Sequence, residues 1–391
     1  FFDMERLDRS IRFINLSDEA ASGDLDKVLA RIANEVETHA PGLVFVDSFR
    51  SVVSNPRPDG SPSLGLQHFI QNLGVLMTCW QATTFLIGEY FSLSDPNPVF
   101  TVADGLIWMK QSVQGNSMVR KMEVMKMRGQ ATLPGLHTFR IGPAGIHVFA
   151  PLPPAPSSEA GNPAAPRTRL QMGVPGLDDM MGGGLPQGYS LLVAGPSGSG
   201  KSLLAAAFLI EGARCGETGV IAAFEQRSRQ SRGHSLCSLI DSDRVGVVDT
   251  RAPDLSVDEM AMLLIDEIRR LGASRVVIDS LSGFELALAP TFRDDFRESL
   301  SRLVSALASS GATVLMTSEL EDRYTDLRFS PYGTAFLTDA IIVHRYVEMN
   351  SRLLRAMAVV KVRASAHSNE LRMFTIDDDG IRIGATLSGH A

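Results

Sequence analysis

The sequence predicts an α/β protein of two tandem domains, each built on a mostly parallel central sheet, with the first domain incomplete at its N-terminus. Three observations predict it. In the second half of the 391-residue chain, short apolar strands alternate with amphipathic helices. A glycine-rich loop separates one such strand from the helix after it. Landmarks of the first half recur in the second, in the same order and at a near-constant spacing.

Tyr189–Ala194 is an unbroken apolar run and predicts a strand, followed by a helix over Lys201–Arg214. Gly219–Phe224 predicts the next strand. Within Val257–Leu271, Met260, Leu263, Leu264 and Ile268 recur at helical spacing. Arg275–Ile278 predicts a strand, Arg293–Ser310 a helix and Thr313–Met316 another strand. Continuous apolar strands need cover on both faces, which a parallel sheet flanked by helices supplies. After Ala340 the rhythm changes. Ala340–Tyr346, Leu354–Val362, Leu371–Ile376 and Ile381–Ile383 follow with few helical stretches, and predict an antiparallel extension of the sheet.

The repeat runs through four landmarks. Leu43-Val44-Phe45-Val46-Asp47-Ser48 matches Val276-Val277-Ile278-Asp279-Ser280, the two aspartates standing 232 residues apart. Thr83–Glu89 matches Thr313–Glu319 at a spacing of 230. Lys126-Met127-Arg128 matches Lys361-Val362-Arg363, and Phe139 matches Phe374, both at 235. The chain is therefore read as a tandem duplication. Residues 1–149 form the first domain and residues 169–391 the second. Between them, residues 150–168 are rich in proline and alanine and form a linker. Residue 1 is Phe, and Phe1–Arg9 reads as the middle of a helix with no capping residue ahead of it. In the second copy Gly195 precedes Asp279 by 84 residues. The same spacing counted back from Asp47 passes Phe1, so about 60 or more residues, including a glycine-rich loop, are expected ahead of it in the natural protein.

Composition excludes several classes. A formal net charge of −7 lacks the positive footprint of a general nucleic-acid binder. No apolar run reaches the ~18 residues that crossing a bilayer requires. Three cysteines without ligand-like spacing are too few for a disulfide scaffold, and predict a reducing, cytoplasmic setting.

The segment Gly195-Pro196-Ser197-Gly198-Ser199-Gly200-Lys201-Ser202 fits G-x-x-x-x-G-K-[ST] in its required place between strand and helix. Glycines let successive backbone N–H groups wrap a β-phosphate, and the helix N-terminus adds its partial positive charge. Lys201 is expected on the β- and γ-phosphates, and Ser202 on Mg²⁺. The expected ATP contacts are Gly195 through Ser202 and the next residue, Leu203. Asp279 ends an apolar strand, where a carboxylate can hold a Mg-bound water beside Ser202; a capping aspartate is the plainer alternative. Glu225 follows the strand Gly219–Phe224. There a carboxylate can orient and deprotonate the attacking water, or simply be solvated. Lys361 and Arg363 alternate with Val360 and Val362, so they share a strand face without an evident anion in their own copy. A γ-phosphate held by a neighbouring subunit would supply one.

These residues resemble those of a known family. Met172-Gly173-Val174-Pro175-Gly176-Leu177-Asp178-Asp179, then Gly182–Leu185 and Gly188, then the phosphate loop, are similar to KaiC and its relatives among the RecA-like P-loop ATPases. Val276–Ser282 and the Lys-x-Arg element followed by Ser365 and His367 resemble them too. The resemblance implies hexameric rings of double-domain subunits, with ATP and Mg²⁺ between neighbours. Gly195–Ser202, Glu225 and Asp279 would face the nucleotide from one subunit, and Lys361, Arg363, Ser365 and His367 from the next. Some members of the family autophosphorylate on adjacent Ser and Thr residues. Two departures qualify this. The family's usual pair of glutamates reads Glu225-Gln226 here, which bears on hydrolysis rate. The expected phosphoacceptor pair before Thr338-Asp339 reads Ala335-Phe336, with no hydroxyl to modify, while Thr334 and Thr338 lie out of register.

The function expected is an oligomeric ATPase that couples ATP binding and slow hydrolysis to a regulatory output through a protein partner the sequence does not identify. A nucleotide-gated scaffold with little turnover, and a serine/threonine kinase acting on another hydroxyl, are the alternatives. A DNA recombinase is disfavoured by the negative charge and by the lack of a basic, aromatic-interleaved loop.

Overall fold

The structure, a computed structural model, describes residues 10–21, 24–49, 64–90, 99–114, 116–151, 168–224, 234–248, 250, 254–293, 296–320 and 338–387. The expected helix at Phe1–Arg9 and nearly all of the expected linker lie outside these residues. The chain divides into two compact units. One comprises residues 1–109, 122–136 and 141–146; the other comprises 110–121, 137–140 and 147–391.

In the first unit, helix α1 (Leu25–His39) is capped by Asp24, whose side chain accepts from the Lys27 amide. It buries Val28, Ile32 and Val36, one residue per helical turn along a single stripe. These pack with Phe69, Ile70 and Leu73 of α2 (Leu64–Cys79) beneath strand β1 (Leu43–Asp47). β1 pairs in parallel with β2 (Thr83–Ile87), Leu43 facing Thr83. On the opposite face, Leu43, Phe45, Phe85 and Ile87 are exposed, and the Phe45 and Phe85 rings stack 4.9 Å apart. Four further strands, β3 (Gly105–Gln114), β4 (Ser117–Met127), β5 (His137–Gly142) and β6 (Gly145–Phe149), form another sheet in that order, and the residues of each strand are divided between the two units.

The second unit opens with a short hairpin, β7 (Arg169–Leu170) and β8 (Leu185–Pro186). The elements that follow are β9 (Ser190–Gly195), α3 (Lys201–Arg214), β10 (Gly219–Ala223), α4 (His234–Asp241), β11 (Val245–Val248), α5 (Val257–Leu271), β12 (Arg275–Asp279), α6 (Leu281–Ala287), α7 (Phe296–Ser309) and β13 (Thr313–Glu319). Strands β14 (Ala340–Met349), β15 (Arg352–Val362), β16 (Arg372–Asp377) and β17 (Gly380–Thr386) complete a nine-stranded sheet of order β11-β10-β12-β13-β9-β14-β15-β16-β17. The first six strands of that order are mutually parallel, and the last three pairings are antiparallel. Helices α5, α6 and α7 pack on one face, and α3 and α4 on the other. Both faces are therefore dry, and every residue of β9 is buried, as its apolar run requires.

Among the polar side chains enclosed in this core is a guanidinium. Arg275, 1% exposed at the start of β12, donates to Glu217 at 2.5 Å. It also donates to the carbonyls of Gln171 at 2.7 Å and Phe208 at 2.8 Å, and lies 4.5 Å from the Phe208 ring.

Most element boundaries fall where the apolar patterns put them; three points differ. β14 was expected to open the antiparallel extension, yet it pairs in parallel with β9 and is antiparallel only to β15. Its residues Ala340–His344 are all buried, the pattern of a strand covered on both faces. Second, the segment α4–β11 and helix α6 carry too short a pattern to stand out, and Gly246 interrupts β11. Third, the helix expected over Arg293–Ser310 begins at Phe296 among the described residues, after a 3₁₀ turn at Pro290–Phe292. The duplication itself reappears as geometry. β3 and β14 start and end 235 residues apart, as do β4 and β15, and β5 and β16. β1 and β12 each pair in parallel with the strand that repeats in the other copy, β2 and β13.

Candidate functional site

β9 ends at Gly195 and α3 begins at Lys201, so the glycine-rich loop bridges the C-terminal edge of the sheet to a helix N-terminus. Gly198 (φ 74°) and Gly200 (φ 92°) occupy the left-handed region, which turns alternate peptides of the loop. Lys201 Nζ donates to the carbonyls of Gly195 at 2.9 Å and Pro196 at 2.8 Å, so the ammonium lies across the loop.

A cleft of about 170 Å³ opens over this loop, lined by Ser197, Gly198, Gly200, Lys201, Ser202, Leu203, Asp279, Ser280, Glu319 and Ile376. Two neighbouring strands deliver its carboxylates. β12 ends at Asp279, whose Oδ1 accepts from the Thr317 hydroxyl at 2.5 Å. β13 pairs with β9 so that Glu319 stands beside Gly195, exposed in the cleft. Ser202 and Asp279 present hard oxygen donors to one cleft, the type that Mg²⁺ takes. With the glycine turns and Lys201 beside them, the residues present fit a Mg-bound polyphosphate.

Beneath the loop lies β14. His344 is wholly buried, and its Nδ1 is 2.9 Å from the Ser199 carbonyl. Burial pushes its pKa down to about 4, so the ring is neutral near pH 7. Two residues on, the Tyr346 hydroxyl donates to the Ser197 carbonyl at 3.3 Å.

Lys361, Arg363, Ser365 and His367 are not brought to this cleft within one chain. The register places Val362 opposite Ala340, and Ala340 beside Leu191, four residues before Gly195. The group therefore sits near the opposite edge of the sheet, about 13 Å along the strand from the loop. Lys361 Nζ donates to the Thr338 carbonyl at 2.6 Å, and Arg363 pairs with Asp339 at 3.1 Å. The absence of an anion in the same copy, expected from sequence, is thus corrected: Asp339 supplies one. Burial, with Arg363 nearby, lowers the Lys361 pKa. Arg363 itself lies just past the end of β15 rather than within it. Ser365 accepts from Arg169, and the His367 ring approaches the Ser365 carbonyl at 3.5 Å. The first unit repeats the arrangement: Lys126 donates to the Thr101 carbonyl at 3.1 Å and Arg128 pairs with Asp104 at 2.8 Å.

Glu225, Gln226 and the positions 334–336 lie outside the described residues. The sequence reading overlooked Glu319 and His344 as site residues. Glu319 carried the same signal as Asp279, a carboxylate closing an apolar strand, and stood inside a repeat landmark.

Fold and cleft together define a P-loop domain of the doubly wound, RecA-like type. Comparison with known proteins gives the family: the family model "ATPase: KaiC" matches residues 2–152 and again 170–388, so the chain belongs to the KaiC family. It is 27% identical over 365 residues to the circadian clock oscillator protein KaiC of Rippkaea orientalis, covering 92% of this chain and 68% of that protein. Identity is 26% over 363 residues to KaiC 1 of a Synechocystis species, covering 91% and 68%. The circadian clock protein KaiC3 of the same organism is 26% identical over 368 residues, covering 92% and 71%. No helix among the described residues is long and apolar enough to cross a membrane.

Proposed function

We propose that the cleft of the second unit binds Mg-ATP and hydrolyses it slowly, within a ring of copies of this chain, to drive a regulatory output. The convergence of Lys201, Ser202 and Asp279 over the glycine-turned loop carries this reading. Loop amides and Lys201 hold the β- and γ-phosphates, and Ser202 and Asp279 hold the metal, which neutralises phosphate charge when bound. Glu225 orients the attacking water and takes its proton. Lys361 and Arg363 reach the phosphates of a neighbouring copy, with Ser365 and His367 beside them. Their distance from their own cleft favours this arrangement. Six copies close the ring, as the family resemblance implies, and the names of the relatives suggest a timing-related or signalling output. Residues 1–149 and 169–391 act as two domains joined by 150–168. Gln226 in place of a second glutamate favours low turnover, and phosphate release from the intact protein measures it.

Calorimetry tests the core of the proposal. Lys201→Ala is expected to weaken ATP binding at least tenfold, about 1.4 kcal/mol. Unchanged affinity in the folded variant removes the ATP assignment.

A further inference from the structure

We infer that His344 is a positioning residue for the phosphate loop, its imidazole N–H setting the Ser199–Gly200 peptide so that the Gly200 amide is presented to the cleft, with Tyr346 doing the same for Gly198. The role rests on the ATP-binding reading above and adds to it a support that the loop motif does not contain.

The geometry begins with a hydrogen bond. A carbonyl only accepts, so the 2.9 Å contact makes His344 Nδ1 the donor to Ser199. A trans peptide is planar, with its C=O and N–H pointing in opposite directions. Fixing the Ser199 oxygen against β14 therefore aims the Gly200 N–H away from β14. Tyr346 stands on the same face two residues later, and its hydroxyl fixes the Ser197 oxygen at 3.3 Å, which aims the Gly198 N–H likewise. Gly198 and Gly200 both line the cleft. Two side chains of one strand thus brace alternate peptides of the loop.

The close approach of β14 is built in. A Cβ on Gly195 would lie 2.8 Å from His344 Cβ and 2.9 Å from the His344 carbonyl, so the first glycine of the motif makes room for this strand. The other ring nitrogen argues that the donor is the purpose. His344 Nε2 is buried with no hydrogen-bond partner among the described residues, while its ring packs 5.0 Å from that of Phe374. A leucine would fill the same apolar site without stranding an acceptor. What a leucine cannot supply is the N–H to Ser199.

The test uses the full chain and calorimetric titration with ATP and with ADP, alongside melting temperature without nucleotide. His344→Leu removes the donor and is expected to weaken both nucleotides about tenfold, as loss of one well-aligned buried hydrogen bond allows. His344→Asn keeps an N–H on a short side chain and is expected to stay within about threefold of the parent protein. Tyr346→Phe deletes one oxygen and is expected to weaken binding about threefold. Melting temperature is expected to stay close to the parent value in all three. Parent-like affinity in His344→Leu overturns the inference, and so does an Asn variant as weak as the Leu variant, since shape alone would then explain the loss. If His344→Leu does not fold, Tyr346→Phe decides, and unchanged affinity there overturns it. Lys201→Ala run in parallel separates the two levels. If that variant also binds normally, the ATP reading falls and takes this inference with it. If it loses ATP while the β14 variants bind normally, only this inference falls.

Discussion

Thr317 shows how much a single hydroxyl fixes at this site. It is wholly buried on β13 and donates to Asp279 Oδ1 at 2.5 Å. That bond sets the carboxylate's rotation and leaves its second oxygen for another partner. Thr317→Val preserves shape and removes the bond, so the carboxylate is free to rotate. The Mg²⁺ concentration needed for half-maximal ATP hydrolysis is expected to rise several-fold, while nucleotide binding in EDTA is unchanged. A magnesium titration of the variant checks this, and an unchanged requirement counts against the metal assignment of Asp279. Among single residues, Lys201 and Ser202 are legible in sequence because the loop motif fixes their spacing on one continuous segment. Asp279 is legible because it closes an apolar strand. Glu319 carries the same local signal and His344 carries none, but neither shows in sequence its place beside the loop. Their nearness to the loop depends on β13 and β14 flanking β9, and strand order is not written in any local pattern.

At the scale of elements, the β14–β15 hairpin joins the phosphate loop to the Lys361–Arg363 end of the same sheet. The middle of β14 braces the phosphate loop through His344 and Tyr346, and its first residues lie beside Lys361 and Val362. The same pairing of a lysine with a carbonyl and an arginine with an aspartate recurs in the first unit, so the duplication preserved side-chain geometry as well as strand lengths. Substituting both Lys361 and Arg363 by alanine is expected to weaken Mg-ATP-driven assembly while leaving the loop's own ATP affinity near the parent value. Light scattering with and without Mg-ATP reads the assembly. Equal assembly of parent and double variant would remove the trans role, as would a parent that stays monomeric throughout. The strands of this hairpin are visible in the sequence as apolar runs. The direction of β14 is not, because a parallel and an antiparallel neighbour can bury the same residues.

For the whole molecule, the class of fold follows from the alternation of dry strands with amphipathic helices, and the tandem plan follows from repeats that the structure returns as matched strands. Arg275 ties the second half of that plan together. Its guanidinium holds the chain ahead of the phosphate loop through Gln171 and the helix after the loop through Phe208. It also holds the turn into β10 through Glu217. All three are fastened to β12, the strand that ends in Asp279. None can peel away without leaving a buried N–H of that guanidinium unpartnered, a loss of about 1–3 kcal/mol, and more where Glu217 is the partner lost. These segments should therefore breathe as one body. In deuterium exchange, amides of β9, α3 and β12 are expected to share one slow opening whose free energy tracks global stability under mild urea. In Arg275→Met, which keeps the packing and drops the charge, α3 is expected to open ahead of the strands. Separate openings in the parent protein would contradict this. The floor of the cleft then keeps time as a single slow unit beneath the loop that β14 braces.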